Sequence, residues 1–173
     1  MRARLELPGW FRAEKKWDLV VVRRGGDLVV AIETKSHAGP SFGNNFNNRA
    51  EEAIGSASDL WAAYREGVFR PSVRPLLGYL MVVDDSPQSR APVGTKAPHF
   101  SVLPEFANAS YCDRYKLLVL KLLRERLYDA AGLIFTSSDS AESGDYTQPS
   151  EEATFESFAN ALRAAATRAY GGR

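Results

Sequence analysis

Trp17-Asp18-Leu19-Val20-Val21-Val22-Arg23-Arg24-Gly25-Gly26-Asp27-Leu28-Val29-Val30-Ala31-Ile32-Glu33-Thr34-Lys35 decides the fold. Two apolar, β-branched runs flank a Gly-Gly pair, the sequence mark of a β-hairpin closed by a tight I′ or II′ turn. With Gly25-Gly26 as a two-residue loop, Arg24 faces Asp27 and, counting outward, Asp18 faces Glu33. Directly opposed side chains share a face, with Cβ atoms about 5 Å apart. Lys35, two residues past Glu33, falls on that face as well. Turn geometry and strand period alone therefore gather two carboxylates and an ammonium group at one end of the hairpin. Residues 19–22 and 28–32 are almost wholly apolar, which predicts strands buried on both faces. Charged groups at the end of such strands sit where ionisation is readily perturbed, a setting more often functional than decorative.

That constellation suits metal-assisted attack on a phosphodiester. Mg²⁺ takes hard oxygen ligands, usually one or two carboxylates, and fills its shell with water and substrate phosphate. Asp18 and Glu33 supply the carboxylates, and the backbone carbonyl of Thr34, between the functional side chains, is a further candidate ligand. A metal held there activates the attacking water and offsets charge on the phosphorane, while Lys35 orients that water or stabilises the developing charge. The same residues have an ordinary reading too. Strand ends carry Asp, Glu and Lys because they reach solvent, and cross-strand ion pairs are common.

The chain has 173 residues, 45% of them hydrophobic, enough for one globular domain with a real core. Its formal charge is +1, so no overall basic footprint announces nucleic acid. The balance conceals an asymmetry. Residues 137–157 hold six acids (Asp139, Glu142, Asp145, Glu151, Glu152 and Glu156) and no Lys or Arg, leaving 22 basic against 15 acidic residues elsewhere. A basic, DNA-facing surface is compatible with that remainder. A single cysteine, Cys112, excludes an intramolecular disulfide and any Cys-rich zinc site. No apolar stretch approaches membrane-spanning length and the start is not a signal peptide, so a cytoplasmic protein is expected.

Beyond the hairpin, residues 36–46 read as a Gly/Ser/Asn-rich loop, followed by a helix from Asn47 or Asn48 to Glu66 with Ile54, Ala57, Trp61 and Tyr64 as its apolar stripe. Residues 76–83 read as a buried strand, and 84–109 as loop with a short strand near 100–103. Ser110 caps a long helix running to about Ala131. Gly132 breaks it before a strand at 133–135, and a last helix spans about 151–170. The order β-β-α-β-α-β-α predicts an α/β fold, a mixed central sheet flanked by helices on both faces. Its ligands bind at strand ends, where Asp18 and Glu33 lie. Residues 1–137 form the core, 138–150 an acidic Ser-rich linker, and 151–173 a C-terminal helix on the same domain.

Asp18, Glu33 and Lys35 resemble the signature of the PD-(D/E)xK nuclease superfamily, with Trp17 where the motif's proline often stands. More narrowly, 7–11, 15–18 and the string Gly39-Pro40-Ser41-Phe42-Gly43-Asn44-Asn45-Phe46-Asn47-Asn48-Arg49 resemble the XhoI family of type II restriction endonucleases. So do Asp59-Leu60-Trp61, Tyr64-Arg65-Glu66 and Arg124-Glu125-Arg126-Leu127-Tyr128-Asp129, giving a likeness over roughly residues 5–136. The resemblance implies a restriction-endonuclease-like fold and Mg²⁺-dependent cleavage of double-stranded DNA at a palindromic hexamer, CTCGAG for the family's namesake. It also implies a homodimer, since a two-fold palindrome is read most simply by two identical half-site readers. A cognate DNA methyltransferase is the expected companion. Family members carry a further N-terminal region before the Leu-Pro-Gly-aromatic stretch, so the expectation is either a start internal to a longer protein or a shortened, inactive relative. The readings left open are a catalytically inactive or truncated DNA-binding remnant, and a nuclease of the same superfamily with different specificity.

Residues 36–49 are the candidate for base recognition. Asn pairs bidentately with adenine and Arg with guanine in the major groove, and Asn44, Asn45, Asn47, Asn48 and Arg49, with Ser36 and Ser41, follow the active strand directly. Asn and Gly also serve as turn and cap residues, and Asn47 or Asn48 is a candidate cap. Lys15, Lys16 and Arg12 are candidate phosphate contacts, which position without reading sequence. Glu14, Glu51 or Glu52 would be an additional acid, although first-turn helix glutamates commonly serve the dipole.

Overall fold

The computed structural model describes residues 4–39, 41–69 and 73–171. Two short strands that the sequence pattern did not announce, β1 (Glu6–Pro8) and β2 (Glu14–Lys16), pair into an antiparallel ribbon. The expected hairpin follows as β3 (Leu19–Val22) and β4 (Leu28–His37), but it closes around a different turn. Arg23 N–H donates to Asp27 O at 2.9 Å and Gly26 N–H to Arg23 O at 2.8 Å, so the loop has three residues, not two. Its last residue, Gly26, takes φ +95°, where a side chain is strained. Val22 therefore faces Leu28. A bulge beside Val21 then absorbs the extra residue on β4, so that Val21 faces Val30 and Leu19 faces Ile32. The two offsets cancel, and the strands reach the candidate site in the register that the simpler turn predicts.

β4 continues the sheet in parallel with β5 (Leu76–Asp84), and β5 with β6 (Ala130–Thr136), in the order β3-β4-β5-β6. Helix α1 (Phe42–Arg65) crosses from β4 to β5. After it come a single-turn α2 (Pro87–Arg90), α3 (Tyr111–Arg124), a short α4 (Ser138–Ser143) and α5 (Phe155–Tyr170). Helices α1 and α3 cover one sheet face, where Ala57, Leu60, Leu77, Tyr79, Met81 and Tyr115 are buried together. Helix α5 covers the other, with Phe158 and Ala165 against Val30, Ile32 and Ala130. This is the expected mixed α/β sheet flanked by helices, a restriction-endonuclease-like arrangement. Among the described residues no helix is long and apolar enough to cross a membrane.

Several boundaries differ from the expectation. Of the two hairpin strands, β4 alone is buried on both faces. β3 is an edge strand whose Leu19 and Val22 are 42% and 48% exposed. Helix α1 begins at Phe42, so Asn44, Asn45, Asn47 and Asn48 lie within it and none caps it. The cause is aromatic anchoring: Phe42 packs on His37 and Tyr111, and Phe46 on Tyr111 and Tyr115, one turn apart. The buried stripe is Ala53, Ala57, Leu60 and Trp61, with Ile54 turned outward. Residues 100–103 form no strand. Helix α3 stops at Arg124 because Arg126 takes a left-handed φ of 55° and Leu127 N–H returns to Leu122 O, freeing 130–136 for β6. Gly132 therefore lies inside a strand. The acidic segment carries α4, and Thr147 exchanges two backbone hydrogen bonds with Phe135 of β6.

The ribbon is fastened to α1 by a single carboxylate. Asp59 accepts the backbone N–H groups of Trp10 and Phe11, both at 2.7 Å, and the Arg12 Nε at 2.7 Å. A Cβ on Gly9 would collide with that carboxylate, which accounts for glycine in the Leu-Pro-Gly-aromatic stretch. Burial pushes the Asp59 carboxyl up, but the Phe11 amide, the Arg12 guanidinium and the Trp10 amide outweigh it and hold the carboxyl below its ordinary 3.8. A carboxyl depressed by folding contributes stability that is present above the unfolded value and lost as pH falls through the folded one. Asp59→Ala is expected to lower the unfolding free energy by about 3 kcal/mol in urea titrations at neutral pH. Below about pH 4 the wild type should lose stability with acid more steeply than Asp59→Asn.

Candidate active site

The site forms where β3 begins, beside the middle of β4. Asp18 N–H donates to Ile32 O at 3.1 Å, and Asp18 Oδ2 accepts Thr34 N–H at 2.7 Å. The Asp18 carboxylate thus caps the exposed edge of β4 one residue from Glu33. In a strand a residue's N–H and C=O leave on the same side, so the Thr34 carbonyl opens toward that edge, beside Asp18. Glu33 turns the other way, beneath α1, with its side chain only 4% exposed. Its Oε2 accepts Lys15 Nζ at 2.7 Å, and its Oε1 meets Lys35 Nζ. Lys35 Nζ also lies 3.7 Å from Glu52 of α1, which Arg49 Nη1 grips at 2.8 Å. Five charged side chains thus alternate in sign from Lys15 through Glu33, Lys35 and Glu52 to Arg49. Burial pushes the Glu52 carboxyl up, but the Arg49 hydrogen bond and charge, with Lys35 and Lys15, hold it below its ordinary value.

Asp18, Glu33, Thr34 and Lys35 therefore sit together, and Lys15 joins them. The last contact was not legible, because Lys15 lies 18 residues from Glu33 in a ribbon too short to show a period. Lys16 and Ser36 are exposed, as are Ser41, Asn44, Asn47 and Asn48, with Asn45 half-buried. Asn45, Asn48 and Glu52 are spaced i, i+3, i+7 and share one stripe of α1, which ends at Lys35. Glu52 stands three turns into α1, so it is not the dipole partner that a helix start at 47 or 48 implied. Among the described residues, the buried Nε of Arg49 has no hydrogen-bond partner. Arg12 belongs to Asp59, and Glu14 and Glu51 are exposed. His37 closes β4, with Nδ1 2.5 Å from the Tyr115 hydroxyl; burial, then the Arg49 charge, hold it below its ordinary value. Asp85 forms a forked pair with Arg90, away from these groups.

The donor set fits a hard cation in kind. A carboxylate oxygen retains acceptor capacity beyond one bond, so neither the Thr34 amide on Asp18 nor the ammonium groups on Glu33 exhaust these groups. Among the described residues no three His, Cys, Asp or Glu side chains converge as a metal site. Two carboxylates and a backbone carbonyl, completed by water and phosphate, are what Mg²⁺ takes; a softer ion would seek nitrogen or sulfur.

A mixed four-stranded sheet flanked by helices, with two carboxylates and a lysine gathered at the β3–β4 edge and the middle of β4, is an arrangement of the restriction-endonuclease-like fold class. The family described as "Restriction endonuclease XhoI" matches residues 1–148. Similar curated proteins are the type II restriction enzyme BstVI of Geobacillus stearothermophilus, 51% identical over 84% of this chain and 67% of that protein. The type II restriction enzyme XhoI of Xanthomonas vasicola is 52% identical over 70% of this chain and 49% of its own length. The type II restriction enzyme AbrI of Azospirillum brasilense is 59% identical over 57% of this chain and 44% of its own length. No solved structure gives a significant match. The chain belongs to the XhoI family of restriction endonucleases, and its matched region spans about half to two thirds of the length of these relatives.

Because Glu33 matches the charge of two partly buried lysines, its removal strands them. Glu33→Ala is expected to lower stability by about 3 kcal/mol, measured by urea unfolding in EDTA.

Proposed function

We propose that this chain carries the catalytic core of a type II restriction endonuclease. Its reaction is Mg²⁺-dependent hydrolysis of double-stranded DNA at a palindromic, CTCGAG-like hexamer. The observation that carries this reading is the buried Glu33 carboxylate, flanked by Lys35 on its own strand and by Asp18 at the neighbouring strand end. Asp18, Glu33 and the Thr34 carbonyl would hold the metal. Bound there, it would supply an activated water and neutralise charge on the scissile phosphate. Asp18 and Glu33 are fixed by backbone and lysine contacts before any substrate arrives, so little reorganisation is needed. Lys35 Nζ stands between Glu33 and Glu52, positioned to orient the nucleophile and to donate to a phosphoryl oxygen.

Base recognition is assigned to the start of α1. Asn44, Asn45, Asn47, Asn48 and Arg49, with Ser36 and Ser41, lie on the two elements that meet at Lys35, and a helix of that kind enters a major groove. Lys15 and Lys16 offer phosphate contacts. A palindromic target calls for two copies related by a two-fold axis, and such an enzyme in a cell needs a cognate methyltransferase to protect host sites.

Incubation with plasmid DNA tests the reading. Discrete fragments should form in Mg²⁺ and none in EDTA; smearing, or attack only on branched DNA, would point to a different specificity. Band shifts without cleavage in Mg²⁺ would mark a DNA-binding remnant. Lys35→Ala should slow cleavage by about a hundredfold or more while leaving the DNA band shift in place; normal cutting by that variant would remove Lys35 from the mechanism.

A further inference from the structure

We infer that Lys15 is a counter-ion standing in for the metal, and that a divalent cation entering the site displaces the Lys15 ammonium from Glu33. The inference rests on the proposed metal role of Asp18 and Glu33. It starts from burial: a carboxylate as enclosed as Glu33 is tolerated only when its charge is matched. Lys15 and Lys35 match it, one on each oxygen. A dication approaching Glu33 therefore meets a positive charge at either oxygen, and in a partly desolvated site like charges a few ångströms apart repel strongly.

The two lysines respond differently. Lys35 is on the same strand as Glu33 and has Glu52 within 3.7 Å as a second carboxylate. Lys15 has Glu33 as its sole carboxylate partner among the described residues. Once a dication takes the charge of Glu33, Lys35 keeps a carboxylate neighbour in Glu52, which it shares with Arg49, while Lys15 is left without one. Lys15 also stems from the short β1–β2 ribbon rather than from the central sheet; exposure does not separate the two lysines, at 14% for Lys15 and 22% for Lys35, but their anchorage does. The other groups that hold it are weak ones, the Lys16 carbonyl at 3.3 Å and the face of the buried Trp17 ring at 4.8 Å. In this state the ribbon reads the charge of the site, holding the Glu33 side chain in place until metal arrives.

The test is Mg²⁺ titration into the full chain by calorimetry, without DNA, for wild type, Lys15→Met and Lys15→Arg. Competition for one carboxylate is a coupling between two ligands, so Lys15→Met should bind Mg²⁺ about tenfold more tightly, and Lys15→Arg should bind like the wild type. In EDTA, Lys15→Met should melt at a lower temperature than the wild type, and saturating Mg²⁺ should shrink that deficit. Lys15→Gln, which keeps a hydrogen bond to Glu33 and so supports the fold, is read in the same way. Unchanged or weaker Mg²⁺ binding by the neutral variants, or a melting deficit that Mg²⁺ leaves intact, overturns the displacement while the metal role of the carboxylates stands. No Mg²⁺ binding by any of the proteins overturns both.

Discussion

A carboxylate enclosed in the middle of a sheet strand must have its charge matched, and in this molecule Glu33 imposes that condition. It is met from two directions. Lys35 comes from the strand itself, two residues on, and Lys15 from a ribbon outside the main sheet. The first match is a matter of strand period; the second requires that the ribbon be held where its lysine can reach. Asp59 performs that holding by taking two backbone amides and a guanidinium from residues 10–12. A structural carboxylate on α1 thus secures the environment of a chemical one on β4.

Strand β4 carries more than Glu33. Its far end delivers His37 to the Phe42 ring and the Tyr115 hydroxyl, which anchors the first turn of α1. The helix then returns along the sheet and sets Glu52 beside Lys35. The stripe with Asn45 and Asn48 therefore leads straight from the charged cluster to the helix end. In the nuclease reading, groups that act on phosphate and groups that face bases share two rigid elements, so a shift in one is felt by the other.

Much of this was legible in the sequence because it is local. The apolar runs, the Gly-Gly pair and the two-residue period brought Asp18, Glu33 and Lys35 together on paper, and the alternation of later segments marked helices on both sheet faces. What escaped is tertiary. Asparagines are poor helix formers and good caps, so the string 44–48 read as loop; Phe42 and Phe46, docked on aromatic partners from α3, override that preference. The apolar pattern of α3 runs on through Leu127 and Tyr128, but Arg126 accepts a left-handed backbone and Asp129 turns to bind Leu77 N–H, starting a strand instead. The direct facing of Asp18 and Glu33 was simplified too: Asp18 bonds to Ile32 and Thr34, and meets the site from the sheet edge.

The hairpin offers a lesson about descent rather than energy. Its three-residue turn and its bulge each shift the pairing by one residue, in opposite senses. Closing the turn at Arg24–Asp27 alone, or straightening the bulge alone, would displace the partner strand by a residue and invert which side chains reach the site. Both changes together would restore the pairing unchanged. Turn length and bulge are therefore free to vary only as a couple, and lineages of this hairpin should carry the long turn with the bulge or the short turn without it.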